Sequence, residues 1–440
     1  MWTYHPELLA TPVPRYTSYP TAAEFHDQVS GSDMVSALGA VADGTPLSLY
    51  LHIPFCRKIC WYCGCNTGAA NRTDRVTAYL DSLEQEVAMV AKSLGGRGRV
   101  ERIAFGGGSP NAIAPAAFDR LLGVVKTAFG CEDAVISVEV DPRNFDADWA
   151  AALRRNRVTR VSLGVQTFDS GIQAAIGRVQ PHAMIVDAMA MLRSAGVTSV
   201  NFDLMYGLPG QTAAMLRDTL DRAIALAPDR LAVFGYAHVP KMIPRQRRID
   251  ASRLPGSSER FDQAALAHDV LTAAGYVAIG FDHFARGDDS IARAAADGSL
   301  KRNFQGFTED AADVLIGMGA TAISAFPDRL LQNAKNTRDY HAAIAEGRFP
   351  VERGLLRSAD DRQRGDAIEA ILGHGRADLG DLPDLPSVRE GMRPFEARDL
   401  VRWNGESIEL PRSALPYARS IASVLDRYRL PAEERFSRAI

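Results

Sequence analysis

Cys56, Cys60, Cys63 and Cys65 fall within ten residues, in the stretch HIPFCRKICWYCGC, of a chain that holds five cysteines in all. Thiolates spaced CxxxCxxC can converge on one soft metal centre, and iron–sulfur clusters are held by cysteine thiolates. Four thiolates would close a four-iron cluster; three leave one iron open to an external ligand. A structural zinc site is the alternative, with four tetrahedral ligands. Zinc ribbons draw their cysteines in pairs from separated segments, whereas these four share one short loop. Cys131, the fifth, ends a helix-like stretch and reads as an inert small hydrophobe. Clustered thiols in a long chain point to a reducing compartment and a metal or redox site, so a cytoplasmic location is expected.

The elements that must position this loop follow from hydrophobic patterning. Leu47–Ile53 reads as a buried strand that runs directly into the cysteines. Strand-like runs follow at Val100–Phe105, Val135–Val140, Arg160–Val165, Ser199–Met205 and Arg230–Tyr236. Helical patterns lie between them, as at Asp74–Lys92, with Leu80, Leu83, Val87 and Val90 on one face. Pro115–Phe129 opens on a proline, a favoured first-turn residue, and Pro181–Ala195 stops at Gly196. Thr212–Ala225 and Ser257–Ala274 complete the set. Strand and helix alternating at this rhythm predict βαβ units and a parallel sheet. Six units fit a partial (β/α)6 barrel of the α/β class, with chemistry at the C-terminal strand ends. No GxGxxG follows the first strand, as a dinucleotide fold would want. Tyr276–His283 is expected as a further strand, Arg362–Leu372 as a helix, Leu379–Pro386 as a loop, Ile408–Leu410 as a short strand and Leu415–Arg429 as a final helix. The expected division is an N-terminal segment 1–36, a barrel with its extension over 37–345, and a smaller, mostly helical C-terminal domain over 346–440.

The 440 residues are 46% hydrophobic and 23% charged, with a formal net charge of −3. Such a chain can bury an ordinary core, and nothing in it favours nucleic acid or an anionic membrane as the main partner. No apolar run reaches the ~20 residues of a membrane span. The N-terminal stretch lacks the basic and apolar regions of a secretory signal. No long coiled coil demands a dimer, so a monomer is expected.

Several further segments can take part in a site. Gly106–Gly107–Gly108–Ser109 ends the second strand, and glycines permit positive φ and close backbone approach to a ligand. Glu139 sits on a strand between Val138 and Val140, where an acid is costly unless it meets solvent or a polar ligand. His52, His238 and His283 lie near strand ends and read as structural histidines.

CxxxCxYC after a first strand resembles the radical S-adenosylmethionine (SAM) superfamily. The fuller stretch YLHIPFCRKICWYCGCN is similar to the oxygen-independent coproporphyrinogen III oxidases. PRYTSYPT, AFGGGSPN, ISVEVDPR, LGVQTFD, NFDLMYGLPGQT, VFGYAHVP, FDHFAR, RNFQGFT and GMGATAIS extend the resemblance in order over most of residues 14–340, and the terminal FSRAI also looks family-like.

The resemblance implies a radical SAM barrel with a [4Fe–4S] cluster on Cys56, Cys60 and Cys63. It makes Cys65 an extra cysteine needed for activity but not an iron ligand. It places Tyr62 against SAM, and Gly107, Gly108 and Ser109 around the SAM amino group; the family commonly has threonine where Ser109 stands. Glu139 would accept from the SAM ribose. Gln166, Arg178 and Asp203 would serve chiefly a second SAM molecule, in a pocket also lined by Tyr50, Ala237 and Ile323, and Tyr50 is counted with Cys65 as catalytic.

The implied reaction is the anaerobic oxidative decarboxylation of two propionates of coproporphyrinogen III to vinyl groups, giving protoporphyrinogen IX. It needs an external one-electron donor such as flavodoxin or ferredoxin. Arg15, Arg286 and Arg302, with Asn303 and Gln305, are candidates to meet the anionic substrate. A haem-binding chaperone of a related family generally lacks Cys65 and the PRYTSYP segment. A related radical SAM enzyme using its second SAM for methylation, cyclopropanation or haem breakdown is the remaining alternative.

Overall fold

The computed structural model describes residues 2–429; the FSRAI segment lies outside the described residues. Six parallel strands form the heart of the fold: β1 (Pro46–Ile53), β2 (Arg99–Gly107), β3 (Val135–Val140), β4 (Arg160–Gln166), β5 (Ser199–Tyr206) and β6 (Arg230–Gly235). Each is followed by a helix that packs outside the sheet: Thr73–Leu94, Pro115–Phe129, Ala147–Arg155, His182–Ser194, Ala213–Ala225 and Ser257–Ala273. This is the expected α/β architecture with six βα units. The outer faces of the strands carry the apolar residues. In β5, Val200, Phe202, Leu204 and Tyr206 are buried while Ser199, Asn201 and Asp203 face an internal cavity. A period of two thus splits each strand between a helix-covered face and a functional face.

The sheet continues at both edges. β7 (Val277–Ile279) and β8 (His283–Ala285) form an antiparallel hairpin whose second strand pairs with β6. On the other side, β9 (Val314–Met318) lies parallel to β1, and β10 (Ile323–Phe326), β11 (Arg329–Asn333) and β12 (Val351–Leu356) follow antiparallel. The order of the twelve strands is β12-β11-β10-β9-β1-β2-β3-β4-β5-β6-β8-β7. The barrel is therefore partial and open between its edges.

Three expectations are corrected. The strand expected over Tyr276–His283 is broken, because Gly280 (φ +56°) reverses the chain where the Phe307 ring leaves no room for a Cβ. The loop expected over Leu379–Pro386 ends early, because Leu385 and Pro386 already start a helix that runs to Glu396, with the proline in its first turn. The final helix expected over Leu415–Arg429 is three short pieces, 3-10 turns at Arg412–Tyr417 and Ser423–Leu425 around one α-turn at Ala418–Ala422. Pro416 lies inside the first of these and has no N–H to donate. The C-terminal helices Ala359–His374 and Leu385–Glu396 accompany a three-stranded sheet of Arg376–Asp378, Ser407–Glu409 and Arg402–Asn404. The large sheet itself extends into this part of the chain through β12.

A charged network closes the barrel at the N-terminal ends of its strands. Arg102 on β2, Arg160 on β4 and Arg230 on β6 all reach Glu309, with Arg102 at 3.1 Å and Arg230 at 3.4 Å. Arg230 also pairs with Asp289 at 2.7 Å, and Arg102 with Asp310 at 3.5 Å. Three guanidiniums meet three carboxylates, so the floor is polar yet internally satisfied.

Candidate active site

The cysteine loop leaves the C-terminal end of β1, as the patterning required. It folds back along β2: Gly108 N–H donates to Ile53 O at 2.9 Å and Ser109 N–H to Phe55 O at 2.8 Å. The glycines are demanded by protein neighbours. A Cβ on Gly106 would meet the Glu139 carboxylate at 2.5 Å, one on Gly107 (φ +105°) the His52 ring at 2.3 Å, and one on Gly108 the Phe55 carbonyl at 2.5 Å. Only bare backbone lets β2 run this close to both β1 and β3.

Cys56, Cys60, Cys63 and Cys65 line one cavity of about 440 Å³. Around Cys60 the surroundings are cationic: Arg143 Nη2 donates to its Sγ at 3.2 Å and Arg178 Nη1 at 3.3 Å. Both arginines also engage Asp141, at 2.6 and 3.5 Å. Burial pushes the Asp141 carboxyl up, but Arg178 and Arg143 outweigh it and hold it below the usual range. The Thr67 hydroxyl donates to Cys56 Sγ at 3.2 Å, while burial pushes that thiol up to about 11. Cys65 donates to Cys63 through its thiol, burial opposes it, and the Cys65 N–H also donates, at 3.4 Å; the net effect brings Cys63 down to about 6. Cys65 itself moves up, through the same bond and through burial.

The two guanidiniums on Cys60 and the lowered Cys63 thiol fit a group that needs negative sulfur ligands; Cys56, raised by burial, would give up its proton to such a group on binding it. Among the described residues, no three His, Cys, Asp or Glu side chains converge on a point where one metal ion would sit. A cluster asks instead for one thiolate per iron, spread around its corners. Three residues that line this cavity hold a buried polar atom without a protein partner: Gln166 Oε1, Arg178 Nε and Arg143 Nη1. Gln166 has φ +60° at a register shift in β4, so its backbone is strained where it turns into the site.

Of the residues expected at the site, Tyr62, Gly107, Gly108, Ser109, Glu139, Gln166, Arg178, Asp203 and Ala237 all line the cavity of the cysteines. Tyr50 and Ile323 instead line a second cavity of about 790 Å³ that fills the barrel interior. Cys65, Gly107, Glu139 and Asp203 line both, so the two spaces share a wall. Burial first, then the nearby Asp203, raises Glu139 to about 7. Gly107 N–H donates to it at 3.3 Å. Asp203 is also raised by burial, offset by hydrogen bonds from Ser162 at 2.9 Å and Asn201 at 2.8 Å. Tyr50 OH lies 3.1 Å from His52 Nδ1, and burial lowers His52 to about 4, which leaves a neutral imidazole.

The substrate candidates divide. Arg15 lines the cysteine-side cavity, and Asn303 and Gln305 line the larger one, as do His52 and His283, which had read as structural. Arg302 lines neither cavity; two of its three guanidinium nitrogens are engaged and Nη1 is buried without a partner. The guanidinium donates to Tyr16 O and Arg15 O, both at 3.2 Å, and lies over Phe307 and Phe281. Arg286 is exposed beside Asp288, next to the start of β6 and so at the opposite end of the barrel from the cysteines. His238 bonds Tyr236 OH at 2.9 Å and lines neither cavity. Four residues escaped the sequence reading: Arg143, Asp141, Asn111 and Gln246. Asn111 ties Asp141 to the glycine turn through bonds of 2.9 Å, and Gln246 donates to Tyr62 O and Ala237 O at 2.9 and 3.0 Å. Arg143 and Asp141 sit inside the ISVEVDPR segment, and a buried acid followed by an arginine was the available signal.

The radical SAM superfamily pattern matches residues 50–223. An oxygen-independent coproporphyrinogen III oxidase from Bradyrhizobium diazoefficiens is 42% identical, over 97% of each chain. One from Pseudomonas aeruginosa is 39% identical over 97% of this chain and 96% of its own. A solved structure of the coproporphyrinogen III oxidase from Escherichia coli, described as a radical SAM enzyme, superposes with a TM-score of 0.91 at 36% identity, covering 97% of this chain and all of that one. With the cysteine loop at the head of a partial βα barrel and this likeness along nearly its whole length, the chain belongs to the oxygen-independent coproporphyrinogen III oxidase family of radical SAM enzymes.

Proposed function

We propose that this chain oxidatively decarboxylates two propionates of coproporphyrinogen III to vinyl groups, without oxygen, in haem biosynthesis. The observation that carries the reading is the shared wall. A thiol-lined cavity of about 440 Å³ adjoins a barrel interior of about 790 Å³, with Cys65, Glu139 and Asp203 between them. Cys56, Cys60 and Cys63 would hold a [4Fe–4S] cluster, which with SAM would supply radical chemistry to take one hydrogen from a propionate β-carbon, carbon dioxide and one electron (to an electron acceptor) then leaving the substrate as the vinyl group forms. The protein's own residues do the rest. Arg143 and Arg178 offset thiolate charge at Cys60. Gly107, Gly108 and Ser109 hold SAM by backbone and hydroxyl, with Tyr62 packed against it, and Glu139 accepts from its ribose. Gln166, Arg178, Asp203 and Ala237, with Tyr50 and Ile323 across the wall, receive a second SAM. Cys65 and Tyr50, both on the barrel interior, act on the substrate side.

Water exclusion falls to the N-terminal segment. Arg302 holds the carbonyls of Arg15 and Tyr16, Tyr16 OH donates to Asp426 at 3.0 Å, and Arg15 reaches Gly235 O at 3.1 Å. A closed site strengthens every charge interaction inside it and protects reactive species. This reading divides the chain into a lid segment (1–36), a barrel with its extension (37–345) and a C-terminal domain (346–440). It includes a cytoplasmic monomer that takes electrons from a flavodoxin or ferredoxin. No helix among the described residues is long and apolar enough to cross a membrane.

The test is an anaerobic assay with reductant, SAM and coproporphyrinogen III. The expected products are 5′-deoxyadenosine, carbon dioxide and protoporphyrinogen IX. Deoxyadenosine without any vinyl product would overturn the substrate, and a methylated product by mass spectrometry would point to the alternative chemistry.

A further inference from the structure

The charge of the chain is unevenly placed. Its net charge is −3, yet residues 54–75 and 237–253 together carry nine Lys and Arg against two Asp. The first segment is the cysteine loop and the second follows β6. They are packed against each other: Arg245 donates to Cys65 O at 3.4 Å, Gln246 to Tyr62 O at 2.9 Å, and Arg248 lies over the Trp61 ring at 5.9 Å. The two acids are engaged locally, Asp74 by Arg72 at 2.7 Å and Asp250 by Ser252 at 2.6 Å. Arg57 and Lys58, between Cys56 and Cys60, are exposed, as are Arg247 and Arg248; Lys58 also lines the rim of the cysteine cavity. Met242, in the second of these segments, is 62% exposed, one of the few exposed large apolar side chains among the described residues.

We propose that the basic face of these two packed segments, with Arg57, Lys58, Arg247, Arg248 and the exposed Met242, is the docking surface for a small acidic one-electron carrier protein. The inference rests on the cluster reading of the cysteines given above. Its physical grounds are charge complementarity and place. The face includes the exposed residues between Cys56 and Cys60, so a partner seated there lies against the loop that bears the metal site. Encounters between redox proteins bury little surface, below about 1,200 Å², and rely on opposite charge for speed. The unbranched, adaptable side chain of an exposed methionine suits a surface that must release its partner quickly. In the transfer one electron leaves the reduced centre of the carrier and enters the cluster; the carrier is oxidised by one electron, the cluster reduced by one, and no atom changes hands.

The experiment uses the cluster-loaded chain and reduced flavodoxin, an acidic flavin protein, under anaerobic conditions. Affinity is measured by titration at low and high salt. The unaltered chain should bind, more weakly as salt rises. Arg57→Glu combined with Arg247→Glu, at two exposed positions that line neither cavity, should weaken binding roughly tenfold at low salt and flatten the salt dependence. Turnover driven by dithionite, a small reductant, should be unchanged. Unaltered affinity in the double variant overturns the inference. So does a matching fall in dithionite-driven turnover, which would make the face a substrate route. Arg247→Glu alone, at a fully surface position, carries the same test should the double variant fold poorly. Charge-dependent flavodoxin binding in a chain that made no vinyl product would support the docking face while overturning the substrate reading.

Discussion

Changing pH across neutrality should change SAM affinity through Glu139. Its carboxyl lies inside the barrel wall, touching cavity space but screened from bulk water, and burial with the nearby Asp203 raises it to about 7. Near pH 6 roughly one carboxyl in ten is ionised, and near pH 8 roughly nine in ten. Hydrogen bonds to an ionised acceptor are about twice as strong as neutral ones. If the ribose hydroxyls of SAM donate to this carboxylate, binding must draw off the proton below neutrality. Affinity should then improve up to roughly tenfold between about pH 6 and 8, and protons should be released on binding at the lower pH. The same shift acts on folding in the opposite sense. A carboxyl raised in the folded state contributes stability below its ordinary range and loses it as pH rises through about 7; Glu86, buried and raised to about 7 as well, adds to that trend. Only the affinity slope is specific to Glu139. Anaerobic calorimetry of SAM with the cluster-loaded chain, in buffers of different ionisation heat, reads both affinity and proton count. Glu139→Gln should flatten the part of the slope that SAM's own amine does not supply. Equal slopes in the unaltered chain and in Glu139→Gln would refute the assignment.

Cys56→Ala should lose iron and brown absorbance, whereas Cys65→Ala should keep both and lose vinyl product; equal iron loss by metal analysis would place Cys65 among the ligands. Gly107→Ala puts a methyl into the His52 ring at a φ of +105° and should cost about 1–3 kcal/mol in urea unfolding, with an unchanged midpoint as the contrary result. Glu309→Gln strips the barrel floor of the carboxylate shared by three arginines and should cost about 3–5 kcal/mol, read by the same unfolding measurement; a neutral effect would mean that the arginines find other partners.

The legible parts of the chain were those governed by local rules. Strand–helix alternation predicted six βα units, because each strand needs one covered face and each helix one apolar stripe. The helix after β1 buries Leu80, Leu83, Val87 and Val90 as its spacing required, but also Tyr79 and Glu86, whose roles lie across the sheet. Tyr79 donates to His52 O at 2.7 Å, and Glu86 accepts from Gly319 N, Asn333 and Tyr340. Nothing in the periodicity of one helix announces partners more than two hundred residues away. The breaks at Gly280 and Pro416 were missed for a related reason. Whether an apolar run stays straight depends on what packs against it, and for Gly280 that is the Phe307 ring.

By itself, the order of residues determined the thiol chemistry, its place at the end of the first strand, and the family. Four cysteines in one loop are close in space whatever the fold, so their spacing needed no tertiary information. The tertiary structure decided which distant charges act on them. Arg143 and Arg178 reach Cys60 only because β3 and the segment after β4 converge on the loop. The same closure turned Arg302 inward onto backbone carbonyls and left Arg286 at the far end of the barrel. Charge–charge distances between separate segments are set by packing, and packing is a property of the whole chain.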